Sequence, residues 1–236
     1  MANRFVYVAL DYDDQTRNLA FAANLAHVQS DRFGFKVNLD AVANFSPTAQ
    51  NPYSFVKQVM DLGRPVFVDM KMWNGGRTME NIAKGCASLG VDIVNMYAHA
   101  GPAFIGRVKD SLRGTQTQLF AVTVLTHYTD SDTQRLYGCS LAEAAKRLGK
   151  IGFESGADGL IMPANHIGDM KLAPIKILSP GIRPAWYENK SDNDQEQTVT
   201  PREAIDNGAN SLVVGSPVRK SPDPVAALER IIAEIS

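Results

Sequence analysis

An aspartate and a lysine stand two residues apart in Asp69-Met70-Lys71, at the end of the β-branched and aromatic run Val66-Phe67-Val68. Period two places both on one face of a strand. A carboxylate beside an ammonium keeps both ionised and holds the lysine in a fixed rotamer, from which it can donate a proton. Taken alone, the stretch fits a purely structural strand-end salt bridge equally well. A second lysine interrupts the run Gly34-Phe35-Lys36-Val37-Asn38-Leu39. Facing a barrel interior it would lose hydration and require acids beside it; facing outward it would snorkel between helices.

Other polar or turn-forming residues stand at the ends of apolar runs: Asp11, His99, Thr126, His127, Pro180-Gly181 and Gly215-Ser216. The glycine-bearing turns Ser179-Pro180-Gly181-Ile182-Arg183 and Gly215-Ser216-Pro217 suit a phosphate cradle of backbone N–H groups and a helix N-terminus, with Arg183 adding charge. The plainer account is two turns and a solvated arginine. His99 is expected to be a polar plug in the interior, and the polar stretch Tyr187 to Gln197 a closing lid.

These residues converge only if many strands end on one surface. Apolar runs at 5–10, 34–39, 66–68, 91–97, 119–125, 159–162, 175–178 and 211–215 read as strands. Helical spacing marks 13–28, 48–62, 77–89, 101–112, 140–155, a brief turn near 165–171 and 224–235, and Thr200-Pro201-Arg202-Glu203 combines an N-cap, a first-turn proline and a capping-box acid. Eight strand-then-helix units without a composition break predict an α/β chain folded as a single (β/α)8 TIM barrel over residues 1–236, with its chemistry at the C-terminal strand ends. A doubly wound open sheet is the competitor, but no glycine-rich fingerprint follows the first strand.

The composition, 44% hydrophobic and 21% charged with a net charge of −1, supports a large core and provides no basic field for nucleic acid or anionic membrane. Small-molecule partners are favoured. Cys86 and Cys139 have no metal-knuckle spacing and read as reduced core thiols. No h-region and no run approaching a membrane span is present, so a cytoplasmic protein is expected.

In order and spacing, Ala9-Leu10-Asp11, Lys36-Val37, Asp69-Met70-Lys71, Val122-Thr123-Val124-Leu125-Thr126, Ser179-Pro180-Gly181-Ile182-Arg183-Pro184, Asp194-Gln195, Thr200-Pro201 and Val213-Val214-Gly215 with Pro217 resemble the orotidine 5'-monophosphate decarboxylase family of pyrimidine biosynthesis, over essentially the whole chain. The resemblance implies cofactor-free, metal-free decarboxylation of orotidine 5'-monophosphate to UMP. Lys71 would protonate C6, Lys36 and Asp69 would belong to a charged chain, and Asp11 would hold the ribose. Thr126 would contact the pyrimidine; Arg183, Gln195 and the Gly215 backbone would grip the 5'-phosphate; Thr78 would cross a homodimer interface that shares active sites, with Trp73 packed there.

The departures concern the same positions. The family's Asp-x-Lys-x-x-Asp ends here in Asn74, its Gly-Arg-Pro reads Gly215-Ser216-Pro217, His127 replaces a common serine, and Gln197 a common basic residue. Two alternatives follow: a related barrel enzyme acting on a different nucleotide or nucleoside, and a catalytically silent nucleotide binder. Similar sugar-phosphate decarboxylases place a metal-binding Glu where Lys36 stands, and a lysine there would repel Mg²⁺.

Overall fold

A computed structural model describes residues 4–43, 53–168, 175–188 and 196–236. The strands are β1 (Phe5–Leu10), β2 (Phe33–Asn38), β3 (Val66–Met72), β4 (Ile93–Tyr97), β5 (Gln118–Val122), β6 (Gly159–Ile161), β7 (Lys176–Ser179) and β8 (Ser211–Val214). All pair in parallel with their sequence neighbours, and β8 closes on β1, giving the eight-stranded barrel the sequence predicts. Between them lie α1 (Gln15–Ala26), α2 (Leu39–Ala43), α3 (Ser54–Met60), α4 (Gly76–Leu89), α5 (Pro102–Ser111), α6 (Asp130–Tyr137), α7 (Leu141–Glu154), α8 (Pro201–Asp206), α9 (Ser216–Arg219) and α10 (Pro224–Glu234).

Strands buried on both faces explain why their sequences run apolar without alternation. One face joins the helix-covered core, with Val6, Val8, Phe33, Phe35, Val66, Val68 and Val94. The other fills the cylinder, where Tyr7, Phe67, Ile93, Phe120, Val122, Ile161 and Leu178 form a separate cluster. Phe120 fits because β6 begins with Gly159: a Cβ there would stand 2.4 Å from the Phe120 ring.

The predicted capping box of α8 forms, the Thr200 N–H donating to Glu203 Oε2 at 2.8 Å while the Thr200 hydroxyl accepts from the Glu203 N–H at 3.3 Å. A second one, Thr129 with Asp132, starts α6, a helix the apolar periodicity does not announce. Strand β3 runs past its apolar core to Met72, so Asp69 and Lys71 lie within the strand rather than beyond it. The predicted start of the 48–62 helix and most of the lid lie outside the described residues. Cys86 and Cys139 are free and buried, and burial pushes the Cys86 thiol up to about 12. Among the described residues no helix is long and apolar enough to cross a membrane.

Candidate active site

The C-terminal strand ends enclose a cavity of about 380 Å³. Of the sequence-predicted residues it gathers Asp11, Lys36, Asp69, Lys71, Thr126, His127, Pro180, Arg183, Gly215 and Ser216, together with an apolar wall that includes Phe67, Val122, Ile161 and Leu178.

Lys36 faces inward with its side chain 8% exposed. Its Nζ donates to Asp11 Oδ1 at 3.2 Å and to Asn38 Oδ1, and lies 3.6 Å from Asp69 Oδ2. Asn38 also donates to Asp11 Oδ1 at 2.8 Å. The Lys71 ammonium donates to Asp69 Oδ2 at 2.7 Å, and Asn95 Nδ2 to Asp69 Oδ1 at 2.8 Å. Asp11, Lys36, Asp69 and Lys71 therefore alternate in sign along one wall.

Burial alone would lower the Lys36 pKa, but the charges of Asp11 and Asp69 outweigh it and hold the ammonium above its ordinary value. For Asp69, burial pushes upward and is overcome by Lys36 and Lys71, then by hydrogen bonds from Lys71 and Asn95, so the carboxyl sits below its usual range. Lys36 and Asp69 thus stay charged because their partners are there.

Lys71 is held at φ 41°, the one non-glycine residue in the left-handed region among the described residues. Such a conformation costs an L-residue about 1–3 kcal/mol and persists only where the surroundings impose it. Here the constraint is the fully buried Asn95 on β4, whose Oδ1 accepts the Lys71 N–H at 2.7 Å, at the point where the β3–β4 register shifts between Val68 and Met72. The bulge re-aims the lysine into the cavity.

On the opposite wall Gly181 has φ 79°, which only glycine adopts without strain, and the turn it makes carries Arg183 to the rim. Gly215 lies against β1, a Cβ there reaching within 3.4 Å of Asp11 Oδ2. Arg219, on α9, lines this same wall. The Gln197 N–H donates to the Thr126 carbonyl at 2.9 Å and so ties the segment before α8 to the loop that follows β5.

Two predicted residues stand elsewhere. Asn74 and Thr78 are exposed on the β3–α4 connection and the first turn of α4, and neither lines the cavity of its own chain. The Asn74 side chain accepts the Gly75 N–H at 2.7 Å. Gln195 lies outside the described residues. His99 is a correction: rather than plugging the cylinder, it sits on the short 3-10 turn Ala98–Ala100 outside the cavity, stacked 4.8 Å from Tyr97 and edge-on to Trp73 at 4.7 Å. Partial burial among these rings lowers its pKa. Period two would set His99 on the same face as Asn95, but β4 ends at Tyr97 and the 3-10 turn that follows carries His99 out of the cylinder.

Sequence reasoning missed Asn38, Asn95 and Arg219. Asn38 shares a strand face with Lys36 by period two, and Asn95 interrupts the apolar run Ile93-Val94-Asn95-Met96 as Lys36 interrupts its own. Both carried a readable signal; Arg219, in a polar turn of Ser, Pro, Arg and Lys residues, carried little.

Comparison with known proteins bears on the whole barrel. Residues 4–231 match the model of the orotidine 5'-phosphate decarboxylase / HUMPS family. The chain belongs to that family. An orotidine 5'-phosphate decarboxylase of Psychromonas ingrahamii is 35% identical over 233 residues, spanning 96% of this chain and 94% of that protein. One of Pseudoalteromonas translucida is 34% identical over 94% of this chain and 93% of its own. Among solved structures, the orotidine 5'-phosphate decarboxylase of Lactobacillus acidophilus superposes with a TM-score of 0.82 at 29% identity, covering 99% of both chains. The eight strands and the charged wall of Asp11, Lys36, Asp69 and Lys71 all lie within the matched residues.

Proposed function

We propose that the chain decarboxylates orotidine 5'-monophosphate to UMP without a cofactor. The observation that carries this reading is the alternating wall of Asp11, Lys36, Asp69 and Lys71, facing a cavity whose far side bears arginine. With the pyrimidine against the apolar wall and Thr126, its C6 carboxylate would meet Asp69 and Lys71. The C6–carboxyl bond breaks, the electron pair stays on C6, CO2 leaves, and a proton moves from Lys71 Nζ to C6; the neutral amine then recovers a proton from water. Because these charges are already in place, they stabilise the developing carbanion without reorganising. Asp11 would accept from the ribose, and His127, Pro180, Ser216, the Gly215 backbone, Arg183 and Gln195 would surround the 5'-phosphate end, whose binding energy is used at the reacting carbon.

The Lys36 ammonium stands between Asp11 and Asp69, the place a divalent cation would need, which favours the metal-free route over a metal-dependent one. A homodimer accords with the exposed strip of Asn74, Thr78 and Trp73, the last 69% exposed, from which Asn74 and Thr78 would reach a neighbour's cavity. A cytoplasmic setting accords with the two free thiols.

The test is the loss of orotidylate absorbance on mixing with purified protein, with UMP as the product. Uncharged Asn74 and Ser216 favour one other reading, a relative that acts on another nucleotide or only binds it. Measurable UMP binding with no absorbance change over hours would replace the decarboxylase by that reading.

A further inference from the structure

Arg183 and Arg219 differ from the two lysines on the cavity wall in having no acid to answer them among the described residues. Neither enters an ion pair among the described residues. Each has a buried Nε without a hydrogen-bond partner there. A buried donor left unmet on a charged group is costly, so a site that keeps two of them on one wall is completed by an acceptor that arrives with the ligand.

The backbone around Arg219 is fixed as a ligand-binding side chain requires. Its carbonyl accepts the Tyr12 hydroxyl at 3.1 Å, and its guanidinium lies over the Tyr12 ring, 5.1 Å from the centroid. Tyr12 is itself clamped by the buried Asn18, whose Oδ1 accepts the Tyr12 N–H at 3.0 Å and whose Nδ2 donates to the Tyr12 carbonyl at 2.8 Å. Ser216, one helical turn earlier on the same wall, brings no charge.

We propose that Arg219 is a second phosphate-binding residue, closing on the 5'-phosphate together with Arg183, and that Tyr12 is its positioning residue. The inference rests on the nucleotide reading above and specifies which side chain gives it selectivity. Two guanidinium forks suit a phosphate dianion, each able to give parallel N–H donors to its oxygens.

Calorimetric titration of the full chain with UMP and with uridine separates this role from a structural one. The wild type is expected to favour UMP over uridine by about 100-fold or more, and R219Q to lose about 10–100-fold in UMP affinity while its uridine affinity stays within about threefold, the range of a charge-assisted hydrogen bond. R219K, which keeps the charge but not the fork, should fall between them and serves if R219Q fails to fold. Tyr12→Phe, lacking the hydroxyl that holds the Arg219 carbonyl, should weaken UMP alone and by less. R219Q or R219K binding UMP as the wild type does would overturn the proposal and leave the nucleotide reading intact. Equal losses for UMP and uridine would also overturn it, as the mark of a merely structural residue. A wild type that does not discriminate UMP from uridine would remove both.

Discussion

Lys36 and Lys71 reach the cavity from β2 and β3 with acids built in beside them, whereas Arg183 and Arg219 reach it from beyond β7 and β8 with none among the described residues. The lysine side is electrically complete before anything binds: two ammonium groups and two carboxylates sum to zero and hold one another in place. The arginine side is complete only when an anion arrives. The difference separates two tasks that a single cationic pocket would confuse. Charges meant to act on a transition state must be fixed and already compensated, so that they need not move when the reaction does. Charges meant to capture a substrate gain most when left uncompensated, since the whole attraction is then available for binding.

Each side can be broken separately. The largest effect is expected from Lys71→Ala, which should lower kcat at least about 1,000-fold, the scale of a lost general acid, while UMP affinity stays within about tenfold. Single-turnover absorbance with a UMP titration measures both, and retained turnover would remove Lys71 from its role. Asp69→Ala leaves Lys71 without its acid and Lys36 with one; the lost pairing should lower unfolding stability by about 3–5 kcal/mol in urea titrations, besides abolishing turnover. Arg183→Gln should leave that stability within about 0.5 kcal/mol and instead lower kcat/KM about 10–100-fold, which would sharpen the contrast. Asn95→Ala should cost about tenfold in kcat, because Lys71 loses the acceptor that fixes its backbone.

The smallest effect is one of pH. Asp69 is depressed in the fold, so its contribution to stability is present above its unfolded value near 4 and lost as pH falls through the folded one. Lys36 is raised, so its contribution is present below its unfolded value near 10.4 and lost only as pH rises through the folded one. The lysine side should therefore leave thermal stability flat between about pH 5 and pH 9, while UMP affinity weakens below about pH 6 as the phosphate takes up its second proton. A stability change centred inside that window would contradict the pairing.

The barrel and the lysine side could be read in the chain because each rests on local pattern. Unbroken apolar runs alternate with amphipathic ones, and Lys36 and Asp69-Met70-Lys71 are polar residues where such a run leaves no solvent to receive them. What escaped depends on contacts between distant segments. Nothing near Lys71 foretells a positive φ, since the force comes from Asn95 one strand away. Arg219 gains its meaning only when β8 pairs with β1 and brings α9 against Tyr12. His99 was misplaced for a similar reason: counting along β4 does not show that the chain turns off the strand at Tyr97. Asn74 and Thr78 face away from their own cavity, a fact about surface direction that spacing does not carry.

Asp11 and Tyr12 are neighbours in the chain, one paired with Lys36 and the other carrying Arg219. A trans peptide sets their Cα atoms about 3.8 Å apart, so a single covalent link couples the placement of the Lys36 partner to that of the Arg219 platform. That link works as a calliper. One residue inserted at this junction would shift Asp11 and Tyr12 relative to each other, and with them the Lys36 pair and the platform under Arg219, without changing any side chain in the pocket.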